Sequence, residues 1–124
     1  MKKFFKIGTY KFGIISEYVA IAYLFFRGYK ILHWRYKTKL GEVDIIAKKR
    51  DNLVAVEVKA RMKKVEIGEC VQSRQFHRIN NAMKIFLSKN LEYSNHNIRI
   101  DVILISPKHF PKRIKNAWME GFYN

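Results

Sequence analysis

Two apolar segments of strand length, EVDIIAKK (42–49) and LVAVEVKA (53–60), are separated only by Arg50-Asp51-Asn52. So short a polar link between two runs rich in β-branched residues predicts an antiparallel hairpin. Alternate side chains of a strand share a face. Glu42, Asp44 and Ile46 are then expected on one face of the first arm, with Val43, Ile45 and Ala47 on the other. In the second arm Val54, Val56, Val58 and Ala60 oppose Leu53, Ala55, Glu57 and Lys59. The hairpin brings Asp44 and Glu57 onto neighbouring arms and leaves Lys59 beside Glu57.

The rest of the chain supplies cover for this hairpin. Residues 14–26, IISEYVAIAYLFF, are too long for one strand and stop at Arg27-Gly28, which predicts a helix. That helix is apolar nearly all round and is expected to be packed on more than one side. Its single charge, Glu17, shares a face with Ala20, Ile21 and Leu24. YKILHWRY (29–36) predicts a strand leading into a TKLG turn. After the hairpin comes a basic loop, RMKKVEIGE, and then a second helix over 70–89. Phe76, Ile79, Met83 and Phe86 or Leu87 form its core stripe, with Arg74, His77, Arg78 and Lys84 on the outer side. IRIDVILIS (98–106) is a strong strand, and the tail beyond Pro107 and Pro111 has no clear pattern. The order α-β-β-β-α-β predicts an α/β protein with a mixed sheet.

Length and charge narrow the class of partner. At 124 residues the chain is expected to form one domain, 1–124. A net charge of +15 attracts polyanions, nucleic acid before anionic membrane. The longest apolar run, residues 18–26, falls far short of the roughly 20 residues of a spanning helix. MKKFF is not followed by a small-residue cleavage site, and Glu17 interrupts the apolar stretch. A lone cysteine, Cys70, has no internal disulfide partner and reads as an inert thiol. A cytoplasmic location is expected, with no membrane partner.

Four of the ten acidic residues, Glu17, Glu42, Asp44 and Glu57, lie in apolar secondary structure. Desolvating a carboxylate costs several kcal/mol even after relaxation, so such groups need partners or a metal. Two converging carboxylates repel unless one is protonated or a cation joins them, and hard oxygen ligands suit Mg²⁺ or Mn²⁺. With Lys59 alongside, these are the groups that phosphodiester hydrolysis uses: a metal to polarise phosphate and an ammonium to stabilise developing negative charge. The same residues could instead form an ion-pair network with Lys59 and Arg61. Asp101, two residues from Arg99 on one strand face, reads as an ion pair. His33, His77, His96 and His109 lack metal-ligand spacing, and Trp34, Tyr36 and Phe76 fit the core better than a base-stacking surface.

GEVDIIA followed by LVAVEVKAR resembles the signature of the PD-(D/E)XK nuclease superfamily. The whole chain resembles the YraN family of small bacterial proteins. Gly13, Glu17 and Ala22-Tyr23-Leu24 match its first helix, Gly28 to Leu32 its G-Y-x-I-L element, and VEVKAR (56–61) stands intact. Ala82 to Leu87, RIDVI (99–103) and Asn116-Ala117-Trp118 match its later elements. Ser16 replaces the usual glycine before the helical glutamate, and Gln75 replaces a lysine. The resemblance implies a restriction-endonuclease-like three-layer fold, with Asp44 and Glu57 as ligands of Mg²⁺ or Mn²⁺ and the Val58 carbonyl as a third. It implies that Lys59 orients the attacking water or stabilises the transition state. Glu17 then corresponds to the extra acidic ligand of resolvase-like branches. DNA, in branched or damaged form, is the implied substrate. Arg61, Lys63 and Lys64 in the basic loop, and Arg74, Gln75 and Arg78 on the second helix, are the candidate phosphate contacts. The alternatives are a non-catalytic nucleic-acid-binding module that keeps the fold, and an assembly factor whose basic face meets an acidic partner. A homodimer is a further expectation.

Overall fold

The computed structural model describes residues 9–62 and 73–117. Helix α1 (Thr9–Phe26) leads into strands β1 (Lys30–Lys37), β2 (Glu42–Lys49) and β3 (Asn52–Ala60). Helix α2 (Ser73–Lys89), a short 3-10 turn (Leu91–Tyr93), β4 (Asn97–Ile105) and β5 (Lys112–Ile114) come next. The strands form one sheet in the order β1-β2-β3-β4-β5. Every neighbour is antiparallel except β3 and β4, whose parallel ladder runs from Asn52↔Asn97 to Ala60↔Ile105. A parallel pair needs a crossover, and α2 lies within it.

The helices cover opposite faces of the sheet. Ala20 and Leu24 of α1 pack on Ile45, Ala47, Val54, Val56, Ile103 and Ile105. On the other face Ile79, Ala82, Met83 and Phe86 of α2 pack on Val43, Ile46, Leu53, Ala55, Ile100 and Val102. Phe76, Leu87, Trp34 and Tyr36 border these two cores, so the aromatic residues weighed for stacking are packing residues. α1 is already formed at Thr9, the first described residue, well before the expected start near residue 14, because nothing from Tyr10 to Gly13 breaks the helix. It ends as expected, with Gly28 in the left-handed region (φ 88°) and the Gly28 and Tyr29 amides closing on the carbonyls of Phe25 and Leu24. The second predicted helix begins at residue 70; residues 70–72 lie outside the described residues.

Two features anchor the ends of the sheet. The Thr38 hydroxyl donates to the Gly41 carbonyl (2.8 Å) and accepts from the Leu40 and Gly41 amides, fixing the turn before β2. Gly41 lies so close to α2 that a Cβ there would collide with the Arg78 backbone carbonyl. The glycine of GEVDIIA is therefore a packing requirement between turn and helix. At the other end the unassigned tail contributes β5 and then docks. The Ala117 amide donates to the Ile100 carbonyl (2.9 Å), and the Asn116 amide, at a positive φ of 52°, donates to Asp101 Oδ1 (2.9 Å). Asp101 is fully buried and takes a bidentate grip from Arg99 at 2.8 and 3.0 Å. Arg99 and Arg113 both donate to the Tyr29 hydroxyl, at 2.8 and 3.0 Å. Burial alone would raise the Tyr29 phenol, but the two guanidinium donors outweigh it and lower its pKa.

Candidate functional site

The β2–β3 ladder starts at Lys49↔Asn52, around the two-residue turn that holds Arg50 at a φ of 55°, and ends at Ile45↔Val56. Beyond that point the arms part, and a side chain fills the gap. Asp44 Oδ2 accepts the Val58 amide at 2.8 Å. A strand residue directs its N–H and C=O to the same edge, so the Val58 carbonyl points toward the Asp44 side as well. Glu57 is 7% exposed, and Lys59 Nζ lies 3.1 Å from its Oε2.

Across the sheet Asp44 stands opposite Arg35, between the pairs Trp34↔Ile45 and Tyr36↔Val43. Arg35 adopts a φ of 58°, costly for a residue with a Cβ. The regular alternation of both strands breaks here. Trp34 and Ile45 pack on the α1 side, whereas Tyr36 and Val43 pack on the α2 side. The grouping of Val43 with Ile45 and Ala47 expected from strict alternation is thus corrected. The paired irregularity lets β1 and β2 exchange faces while staying hydrogen-bonded neighbours.

Glu17 reaches this region from α1. Its Oε1 accepts Trp34 Nε1 at 2.7 Å and Arg35 Nε at 2.9 Å. With Tyr10, Lys37, Glu42 and Val43, the residues Glu17, Arg35 and Asp44 line a cavity of about 220 Å³. Arg35, Lys37 and Tyr10 were not among the expected site residues. Arg35 could have been found by counting outward from the TKLG turn, which sets residue 35 opposite residue 44. The Arg35 guanidinium is raised chiefly by its hydrogen bond to Glu17. Asp44 is pushed up from 3.8 to about 8. Burial is the main cause, followed by the charge of Glu57; the Val58 amide pulls the other way, and Glu57 and Glu17 add further upward pressure.

These residues fit a hard divalent cation in part. A carboxyl that burial and a neighbouring carboxylate keep protonated is one that a cation would ionise, and both oxygen donors are of the type Mg²⁺ and Mn²⁺ take. Among the described residues no three of His, Cys, Asp and Glu form a ready-made metal cluster. The donor set facing the gap is Asp44, Glu57 and the Val58 carbonyl, while Glu17 is held by Trp34 and Arg35.

The expected phosphate contacts separate. Arg61 is half-buried, its amide bonded to the Ile105 carbonyl and its Nη1 to the Ala60 carbonyl. Arg74 is exposed and Gln75 half-buried in the first turn of α2. Arg78 does not belong to the outer side: it turns toward the sheet, with Nη2 at 3.3 Å from Glu42 Oε1. Lys63 and Lys64 lie outside the described residues. No helix among the described residues is long and apolar enough to cross a membrane.

A mixed five-stranded sheet between two helices gives this chain a three-layer α/β fold of the restriction-endonuclease-like kind. One similar solved structure is that of Archaeoglobus fulgidus Hjc, a Holliday junction resolvase from an archaeal hyperthermophile. It matches with a TM-score of 0.56 at 14% identity, over 86% of this chain and 79% of that one. The chain belongs to the Uncharacterised protein family UPF0102, whose model matches residues 16–105 and which is the YraN family. A UPF0102 protein of Rhodopseudomonas palustris (strain BisB18) is 36% identical over 113 residues, 91% of this chain and 84% of that protein. Another, from Rhizobium etli (strain CIAT 652), is 36% identical over 106 residues, 86% and 87% of the two chains.

Proposed function

We propose that the protein is a divalent-metal-dependent endonuclease that hydrolyses DNA phosphodiesters, with branched or damaged DNA as the favoured form. The observation that carries this reading is the meeting of Asp44, Glu57 and Lys59 where β2 and β3 part. Asp44, Glu57 and the Val58 carbonyl would hold Mg²⁺ or Mn²⁺, with Glu17 available from the far wall of the cavity once Arg35 turns away. The bound ion supplies Lewis-acid polarisation of the phosphate and a more acidic water. With a cation held there, Asp44 would release its proton to solvent, and the Val58 amide would steady the carboxylate. Lys59, held in place by Glu57, offers an ammonium to the charge that develops on the phosphate oxygens. Arg74 and the basic stretch of sequence that contains Lys63 and Lys64 would grip the DNA backbone, consistent with the +15 charge. The resolvase-like fold supports DNA as the partner.

Purified protein with Mg²⁺ or Mn²⁺ is expected to nick plasmid and junction DNA, and Asp44→Ala or Lys59→Ala to abolish the nicking. Cleavage that survives both substitutions would come from another enzyme and defeat the proposal. A second reading, a nucleic-acid-binding module without turnover, is favoured by the engagement of Glu17 Oε1 with the Trp34 indole and the Arg35 guanidinium. It predicts binding that weakens steeply with salt, no cleavage with any divalent ion, and no Mn²⁺ heat signal that Glu57→Ala removes.

A further inference from the structure

A helix apolar nearly all round is expected to be packed on more than one side, yet among the described residues the fully buried face of α1 is the one that holds Ser16, Ala20 and Leu24. The opposite face shows Ile15, Tyr18, Val19, Ala22, Phe25 and Phe26 to solvent. Their spacing makes one unbroken helical stripe, and no charged residue interrupts it. Phe26 is 81% exposed, Phe25 64% and Tyr18 55%. At about 200 Å² for a fully exposed aromatic side chain, the stripe presents on the order of 600 Å² of apolar surface. That is the upper end of the largest patch on an ordinary monomer, about 300–600 Å². It approaches the ~800 Å² per partner of a standard interface.

We propose that this stripe is the interface of a symmetric homodimer in which α1 packs antiparallel on α1 of a second copy. The distribution of bulk along the stripe selects that occupant. Its smallest side chains, Val19 and Ala22, sit at the centre, with Ile15 and Phe26 at the two ends. A two-fold axis through the midpoint sets Ala22 against Val19 of the partner subunit and Phe26 against the partner's Ile15. Each contact joins a larger to a smaller side chain, as an isologous interface requires, and the small centre lets the axes approach to the usual ~8–10 Å. Charge agrees. A partner chosen for its acidity would seek the basic surface, whereas the stripe carries no charge, so two chains of +15 can meet there without setting like charges side by side. The inference stands on α1 alone and does not depend on the nuclease reading.

Sedimentation equilibrium of the full chain, freed of nucleic acid, tests it. The mass is expected to rise with concentration in the micromolar range to twice 14.8 kDa. The association tightens between about 0.1 and about 0.5 M salt, because screening relieves the repulsion between two like-charged chains. Ala22→Glu, on an exposed site of the helix, weakens it at least about 100-fold by burying unpaired charge; Phe26→Ser weakens it as well, and both variants keep the wild-type circular dichroism. A chain that stays at the monomer mass throughout, whether its own ends or some other protein covers α1, overturns the proposal. So does a dimer that both substitutions leave intact.

Discussion

Asp44→Asn is expected to abolish divalent-dependent cleavage while raising the melting temperature of the metal-free protein at pH 8.5, by on the order of 10 °C. Asp44 is held at about 8 in the folded protein against an ordinary value of 3.8. A group whose folded pKa is raised contributes its full stability below the unfolded value and loses it as pH climbs through the folded one. As pH rises from the ordinary carboxylate range toward about 8, the wild-type protein should therefore lose stability steadily, because the unfolded chain releases this proton and the folded one keeps it. Asparagine keeps an oxygen for the Val58 amide but cannot ionise, so the variant escapes that loss. The two proteins should melt nearly together at the acid end and diverge steadily toward pH 8. Metal binding obeys the same linkage with the opposite sign. Mn²⁺ affinity should rise about tenfold per pH unit up to about pH 8 and then level off, with close to one proton released per ion. Calorimetry in two buffers of different ionisation enthalpy measures the proton. Parallel melting curves for the two proteins across this range would mean that Asp44 is ionised without a cation, and the account of the site would fail.

The second large effect lies at the opposite end of the sheet and concerns stability alone. Asp101→Ala removes the carboxylate that Arg99 grips at 2.8 and 3.0 Å and that caps the Asn116 amide. A part-buried guanidinium then loses its counter-charge, and the tail loses one of its two backbone anchors. Breaking a buried pair from one side costs about 3–5 kcal/mol. Urea unfolding should show that loss as a lower midpoint with an unchanged slope. Asp101→Asn, which keeps an acceptor for Asn116, should cost less. Burial alone would lower the Arg99 guanidinium, and in the wild-type protein Asp101 outweighs it and raises it; without that carboxylate Arg99 stays charged through its own basicity, which is why the loss is large. A loss below about 1 kcal/mol for the alanine variant would show that solvent or Tyr29 replaces the carboxylate.

Most of the scaffold could be read from residue patterns because its elements obey simple periods. β2 matches its expected bounds, residues 42–49, and α2 buries Ile79, Met83 and Phe86 as its stripe predicts. The E-x-K pair is both an ion pair and part of the candidate site, so the two readings weighed from sequence were not exclusive. Periodicity failed at Arg35 and Asp44, where a positive φ and a side-chain bond to a strand amide let two strands exchange faces. A period-two rule carries no term for that. β5, three residues long, is too brief to leave a pattern; Asp101 and Ile100 hold it in place by anchoring Asn116 and Ala117 just beyond its end. The pairing of Glu17 with Trp34 and Arg35 joins positions 17 and 18 apart, beyond the reach of any local rule. Ser16 carries a local cost that no pattern foretold: it is fully buried, and among the described residues its hydroxyl finds no hydrogen-bond partner.

The parallel ladder between β3 and β4 sets an order of events during synthesis. Glu17, Arg35, Asp44, Glu57 and Lys59 all lie in the first sixty residues, on a helix and a meander whose contacts are local and quick to form. The strand that seals the open edge of β3 arrives only after α2, and its own anchors, Asn116 and Ala117, arrive later still. A nascent chain thus displays its acidic residues beside an unpaired strand edge until β4, and then Asn116 and Ala117, have left the ribosome. That interval, rather than the finished fold, is when the protein is most open to strand-pairing aggregation and to chaperone capture.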